Sequence, residues 1–395
     1  MSMESLDQFR SEVRQWLADN CPESQRTPAQ PGEQYWGGRR AEFHNADAQL
    51  WFERMRDKGW TAPEWPTEYG GGGLNEAEAK ILKDEMKAIA ARPPLVSLGV
   101  WMLGPALLEH GNQQQKEKYL PAIVRGEHRW CQGYSEPGYG SDLSGLQCRA
   151  EDKGDHYLVN GSKIWTSRAD VADWIFCLVR TNPDAIKQEG ISFLLIDMET
   201  DGISTSLIEL ISGESEFCQT FFDNVKVPKE NLVGEADKGW SVAKSLLKHE
   251  RKLMSEMGTD IPSVDPRTIA PDYVSYNADG KIANSEIRRQ LAEYDMYIQA
   301  VGLTHFRGFE ERMHDIQGNS PLIMKYVGTE AERLKGETLL ALMGSSALGW
   351  EGDEFSATEK QALRQWAMSK TLTIAGGTHE IQLNIIAKRI LQLPQ

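Results

Sequence analysis

Ser135-Glu136-Pro137-Gly138-Tyr139-Gly140-Ser141-Asp142 leads into a segment ending in Trp165-Thr166-Ser167. These two pieces carry most of what the sequence says about fold and chemistry. Glycines at 138 and 140 let a backbone come close to a flat ligand. An indole and two hydroxyls then return beside it. Between them, His156-Tyr157-Leu158-Val159, Asn160-Gly161 and Ser162-Lys163-Ile164-Trp165 predict a hairpin. Asn-Gly tolerates the positive φ of a type I′ turn.

Working outward, Trp174 to Val179 and Ile191 to Ile196 read as buried strands, and Phe221 to Val227, stopped by Pro228, as another. Four or more strands with turns between them predict a small β-domain. On its N-terminal side the period is helical: Leu6, Phe9, Val13, Trp16 and Leu17, then Trp51 and Met55, then Ile81, Met86 and Ile89. Helical spacing returns after Gly239-Trp240, with Leu291, Tyr294, Tyr297, Ile298 and Val301 on one helix and Leu334, Leu339, Leu340 and Leu342 on another. Residues Gly258 to Gly280, rich in Pro, Asp and Gly, are expected to be a loop. The fold class expected is α+β. An all-helical domain (1–127) precedes a middle β-barrel-like domain (128–236) and a C-terminal four-helix bundle (237–395).

Composition narrows the function classes. The net charge of -15 disfavours a nucleic-acid partner, because phosphate neutralisation needs a basic face. The five cysteines show no CxxC spacing and the eight histidines no HExxH, so no metal site is expected. No signal peptide or membrane span is visible, and scattered thiols suit a reducing compartment, so a cytoplasmic location is expected.

Two further constellations bear on chemistry. Ala375-Gly376-Gly377-Thr378-His379-Glu380-Ile381-Gln382 opens a helix, and its free N–H groups suit an anion; an ordinary glycine hinge with Thr378 as N-cap reads equally from the residues alone. Val242, Leu246, Leu253 and Met257 form an apolar stripe, and Glu250 falls on it. A carboxylate on such a face is either salt-bridged or kept as a proton acceptor.

The turn at Ser135 to Ser141 and the Trp165-Thr166-Ser167 end resemble the flavin-binding signature of the acyl-CoA dehydrogenase family. That family has the same order of helical domain, β-domain and helical bundle. The run Trp130 to Pro137, with Ala172 to Cys177 and Gln188 to Phe193, looks most like the large subunit of pimeloyl-CoA dehydrogenase and like subunits of heteromeric dehydrogenases of steroid side chains.

The resemblance implies FAD as cofactor, contacted by Tyr134, Ser135, Trp165, Thr166, Ser167, Thr378 and Glu380. It implies an acyl-CoA substrate contacted by Ser141, Arg251, Gly376 and Gly377. It also implies electron-transfer flavoprotein as the electron acceptor. Many members carry Tyr-Glu-Gly-Thr with the Glu as base, where this chain has Ala375-Gly376-Gly377-Thr378. The Glu250-Arg251 pair resembles the subgroup that includes isovaleryl-CoA dehydrogenase, whose base sits on this earlier helix. The implied reaction is α,β-dehydrogenation, with Glu250 taking the α-proton and the β-hydrogen leaving as hydride to flavin N5.

The Arg-x-x-Phe-Gly motif that clasps a neighbour's flavin is missing from the Pro262 to Gly280 region, and Ala341 to Ser346 alters the Gln-Ile-Leu-Gly-Gly motif. A heterotetramer with a second such subunit and a homodimer or homotetramer with a remodelled clasp remain equally open. The alternatives in function are a same-fold oxidase, monooxygenase or desulfinase, or a partner subunit of a heteromeric dehydrogenase.

Overall fold

In the computed structural model the described residues are 3–30, 32–247, 264–314, 316 and 318–394. The β-region is built from β1 (Trp130–Gly133), β2 (Arg149–Asp152), β3 (His156–Ser167), β4 (Trp174–Arg180), β5 (Ile191–Asp197), β6 (Ile203–Ile208), β7 (Phe217–Pro228) and β8 (Leu232–Val233). They form one sheet in the order β6-β7-β3-β2-β4-β5-β8, with β1 parallel to β4.

Every residue of β4 is buried. Trp174, Phe176 and Leu178 pack with Tyr119, Leu120 and Ile123, while Ile175, Cys177 and Val179 pack with Val159, Val225 and Val227. Burial on both faces is why this strand reads as a continuous apolar run instead of an alternation.

The expected hairpin at Asn160-Gly161 is not formed. Strand β3 runs unbroken through both residues. The turn lies earlier, at Lys153-Gly154-Asp155, where β2 folds back onto β3 and Lys153 N donates to His156 O at 2.9 Å. Asn160-Gly161 instead faces a one-residue bulge in β7, where Asn224 has φ +54° and its N–H donates to Asn160 Oδ1 at 2.8 Å. Gly161 is needed there because a Cβ would stand 2.8 Å from Cys148 Cα, at φ +142°.

Before the sheet come α1 (Met3–Asn20), α2 (Ala46–Asp57), α3 (Glu76–Ala88), α4 (Gly104–His110) and α5 (Gln113–Val124). Asn45 caps α2, while Asn75 with Glu78 and Asn112 with Gln115 make reciprocal capping boxes on α3 and α5. Val13, Leu17, Trp51 and Met55 are buried as the helical spacing predicts.

The chain divides into two compact units. One runs to Ile208 and resumes at Glu216; the other takes Glu209–Ser215 and the described residues from 264 onward. The second unit is helical: α6 (Pro266–Tyr273), α7 (Ser285–Met313), α8 (Ser320–Met343), α9 (Ala357–Leu372) and α10 (His379–Ile385). Helix α8 packs against each of the other four. The loop expected over 258–280 contains α6, started by Asp265 capping Arg267 N at 2.8 Å and by Pro266 at the first helical position. The 258–263 part of that expectation lies outside the described residues. Among them, no helix is long and apolar enough to cross a membrane.

Candidate functional site

After β1 the chain turns through Tyr134, Ser135 and Glu136, and a buried ion pair holds this turn to β3. Lys163 is fully buried; its Nζ lies 2.8 Å from Glu136 Oε1 and also donates to Tyr134 O at 3.1 Å. The Glu136 carboxylate accepts from Gln147 N at 2.7 Å and Cys148 N at 2.8 Å. Ile164 N donates to Ser135 O at 2.8 Å. Ser135 is thereby held beside the end of β3 that carries Trp165. The two halves of the signature, separate in sequence, meet here.

Trp165 sits where β3 slips register against β7, between Lys163 and Thr166. Its φ is +61°, a conformation costing on the order of 1–3 kcal/mol for a bulky residue. The bulge turns the indole outward: Trp165 is 51% exposed, touching Phe217 edge-on at 6.2 Å. Thr166 points the other way and is fully buried, its hydroxyl 2.8 Å from both Cys218 O and Thr220 Oγ1. Its side chain belongs to the sheet, leaving only its backbone for a ligand.

The surroundings fit a flat, polar-edged group such as a flavin. The hydroxyls of Ser135, Ser141 and Ser167 make no hydrogen bond among the described residues. Gly138 and Gly140 have ordinary negative-side φ, and a Cβ added at either would meet nothing within 4 Å. The protein's own packing therefore does not require glycine at these positions, and the space a side chain would fill is left open.

The second unit carries the other group of expected residues. Gly376 and Gly377 have φ of +65° and +96°. A Cβ at Gly377 would also press on Gln382 Nε2 at 2.9 Å. Thr378 caps α10, accepting from Ile381 N at 3.3 Å. Lys325 on α8 holds this turn from below, donating to Leu372 O at 3.0 Å and Gly377 O at 2.8 Å. Its ammonium is held below the usual lysine value by burial. His379 Nε2 lies 2.9 Å from Thr329 Oγ1. Glu380 is exposed, and hydrogen bonds from its own backbone N–H and from Thr378 lower its pKa.

Residues 239–247 are helical with Val242 and Leu246 buried, as the stripe predicts. Glu250 and Arg251, expected as base and pocket residue, lie outside the described residues.

Sequence reasoning missed Glu136, Lys163 and Lys325. The Lys163 signal was available: Tyr157, Val159 and Lys163 share one strand parity, so a lysine on the inward face needs a buried partner. Nothing local marks Lys325, whose partners lie on other elements.

Three family models match the chain: the acyl-CoA dehydrogenase N-terminal domain over residues 3–127, the middle domain over 131–225 and the C-terminal domain over 237–391. Among curated proteins the chain is similar to acyl-CoA dehydrogenase IpdE1 of Mycolicibacterium smegmatis, 32% identical over 100% of this chain and 99% of that protein. Among solved structures it is similar to the Tcur3481-Tcur3483 steroid ACAD, with a TM-score of 0.76 at 29% identity over 100% and 99% of the two chains. It is also similar to the ChsE4-ChsE5 complex from Mycobacterium tuberculosis, with a TM-score of 0.72 at 27% identity over 100% and 99%.

Proposed function

This chain belongs to the acyl-CoA dehydrogenase family, and from that premise we propose that it carries out FAD-dependent α,β-dehydrogenation of an acyl-CoA thioester to the trans-2-enoyl-CoA. The observation that carries the proposal is the outward Trp165 on its bulge, set beside Ser135 and the open space at Gly138 and Gly140. Trp165 walls the flavin, Ser135 and Ser167 offer hydroxyls to its polar edge, and Tyr134 and Thr166 line it through backbone. Thr378 and Glu380 complete the cofactor contacts.

The bound flavin supplies the acceptor for the hydride leaving the β-carbon. This chain's residues do the rest. Glu250 takes the α-proton, and its place on an apolar stripe favours a raised affinity for that proton. The Gly376 N–H polarises the thioester carbonyl, which makes the α-proton acidic; that donor comes from backbone and survives the loss of a side chain there. Ser141, Arg251 and Gly377 hold the substrate. An electron-transfer flavoprotein takes the electrons.

The site favours a bulky acyl group: Gly376 puts no side chain where many relatives place a glutamate, and one of the similar solved structures is named a steroid ACAD. The chain acts as an oligomer with like or unlike subunits. Met296, Leu303, Phe306 and Met313 on α7 leave apolar surface exposed, and similar solved structures are named as paired proteins. A cytoplasmic location agrees with five buried, unpaired thiols.

Anaerobic titration of the purified protein with a panel of acyl-CoAs tests the proposal. Flavin absorbance that bleaches with one acyl-CoA, and fails to bleach in Glu250→Gln, is the expected result. A yellow protein that bleaches with none, or whose Glu250→Gln variant bleaches equally, refutes it. Oxygen uptake with substrate would favour an oxidase instead.

A further inference from the structure

Arg180, the last residue of β4, is buried, and no ion pair reaches it among the described residues. Its guanidinium is spent on backbone. Nη2 donates to Ser144 O at 2.7 Å and Nε to Leu146 O at 3.3 Å. On the other side Nη1 donates to Lys187 O at 2.6 Å and Glu189 O at 3.4 Å. Burying a cation without a contacting carboxylate is costly, and hydrogen bonds from it to carbonyls are the compensation. Glu136 and Asp237 act on it only through space.

Two loops are joined by this one side chain. The first carries Ser141 and continues through the short turn Leu143–Gly145, where Ser144 Oγ bonds Asp142 Oδ1 at 2.7 Å. Its far end is tied down by Glu136 through Gln147 N and Cys148 N. The second loop, between β4 and β5, is closed by Thr181 N and Asn182 N, which donate to Gly190 O at 2.9 and 3.1 Å. Ser141 itself is exposed, and its hydroxyl has no partner among the described residues. Its position is thus set by what holds residues 142–148, and Arg180 supplies the hydrogen bonds that bind the middle of that segment.

We infer that Arg180 is a positioning residue for substrate capture: it fixes the Ser141 loop against the 187–189 loop so that Ser141 meets the CoA moiety. The inference rests on the proposed reading of Ser141. Arg180 touches neither the reacting carbons nor the residues that hold the flavin ring, so its loss is felt in binding of the CoA portion and not in the chemical step. Lysine cannot replace it, because a single ammonium cannot serve both loops with a planar fork.

The test compares Arg180→Lys and Arg180→Gln with wild type on two thioesters of one acyl group, the CoA ester and the N-acetylcysteamine ester. With flavin content matched, KM for the acyl-CoA should rise about tenfold or more while kcat stays within about twofold, the pattern of lost uniform binding. kcat/KM for the truncated ester should stay within about twofold, since that ester lacks the portion Ser141 meets. Equal losses on both esters, or none on either, overturn the inference.

Should neither variant fold, amide exchange of the wild type with free CoA decides. Slowing in both 142–147 and 186–190 supports the coupling, and slowing in the first segment alone overturns it. A wild type that neither binds CoA nor turns over any thioester refutes the proposed function; an active wild type with unaffected variants refutes only the role of Arg180.

Discussion

Replacing Lys163 by methionine is the sharpest test of how the candidate site is held. The substitution keeps side-chain length and apolar stem but removes the ammonium 2.8 Å from Glu136. Breaking a buried pair by deleting one member typically costs about 3–5 kcal/mol, because an uncompensated charge is left behind. Glu136 keeps two of its partners, the Gln147 and Cys148 N–H groups. The cost should therefore fall at the low end, about 3 kcal/mol. At about 2–4 °C per kcal/mol for a unit of this size, the transition should drop by about 6–12 °C. Urea and thermal unfolding followed by tryptophan fluorescence give both values. The double variant with Glu136→Gln should recover at least about 1 kcal/mol of the summed losses, since the two side chains share one interaction. A loss below about 1 kcal/mol, or strict additivity, would refute the claim that this pair holds the turn to β3.

Three other outcomes follow from the geometry. Trp165→Ala should change the stability of the flavin-free protein by less than about 1 kcal/mol, since the indole is half-exposed, while lowering flavin retained on purification; unchanged flavin content would remove Trp165 from the cofactor wall. Gly161→Ala should cost about 1–3 kcal/mol by denaturant titration, because its Cβ meets Cys148 backbone at a positive φ; a neutral result would contradict the close approach of the strands. His128, among Tyr119, Trp130 and Trp174, is held below the ordinary imidazole value chiefly by burial and secondarily by Arg39. The unfolded chain takes a proton there that the folded one refuses, so stability should fall as pH drops below the unfolded value of 6.5 and level off beneath the folded one. His128→Gln should flatten that slope, and an unchanged slope would place the titration elsewhere.

Much of this was legible in the chain because it is local. The helices announce themselves through apolar spacing, and β4 and β5 through continuous apolar runs. The Ser135 to Asp142 turn and Trp165 stand out by residue type together with their resemblance to a known flavin-binding signature. What sequence misread was turn chemistry at Asn160-Gly161. That pair tolerates unusual φ, and the protein spends the tolerance on facing a bulge instead of closing a hairpin. Helix α6 was hidden because prolines and aspartates mark a helix start as readily as a loop. Arg180 and Lys325 were invisible for another reason. Their partners are backbone carbonyls on other segments, and a carbonyl leaves no trace in residue identity.

The two register slips along β3 and β7 run in opposite senses. The first places its surplus residue on β7 near Asn224, the second on β3 at Trp165, and pairing beyond both returns to its starting offset: Tyr157 faces Val227 and Ser167 faces Phe217. The stretch between them is a closed detour, and Trp165 stands on the surplus backbone that the ladder does not use. Variation at that position is therefore uncoupled from strand pairing. A lineage, or a combinatorial library, can exchange this outward-facing residue while the sheet beneath keeps every pairing it had.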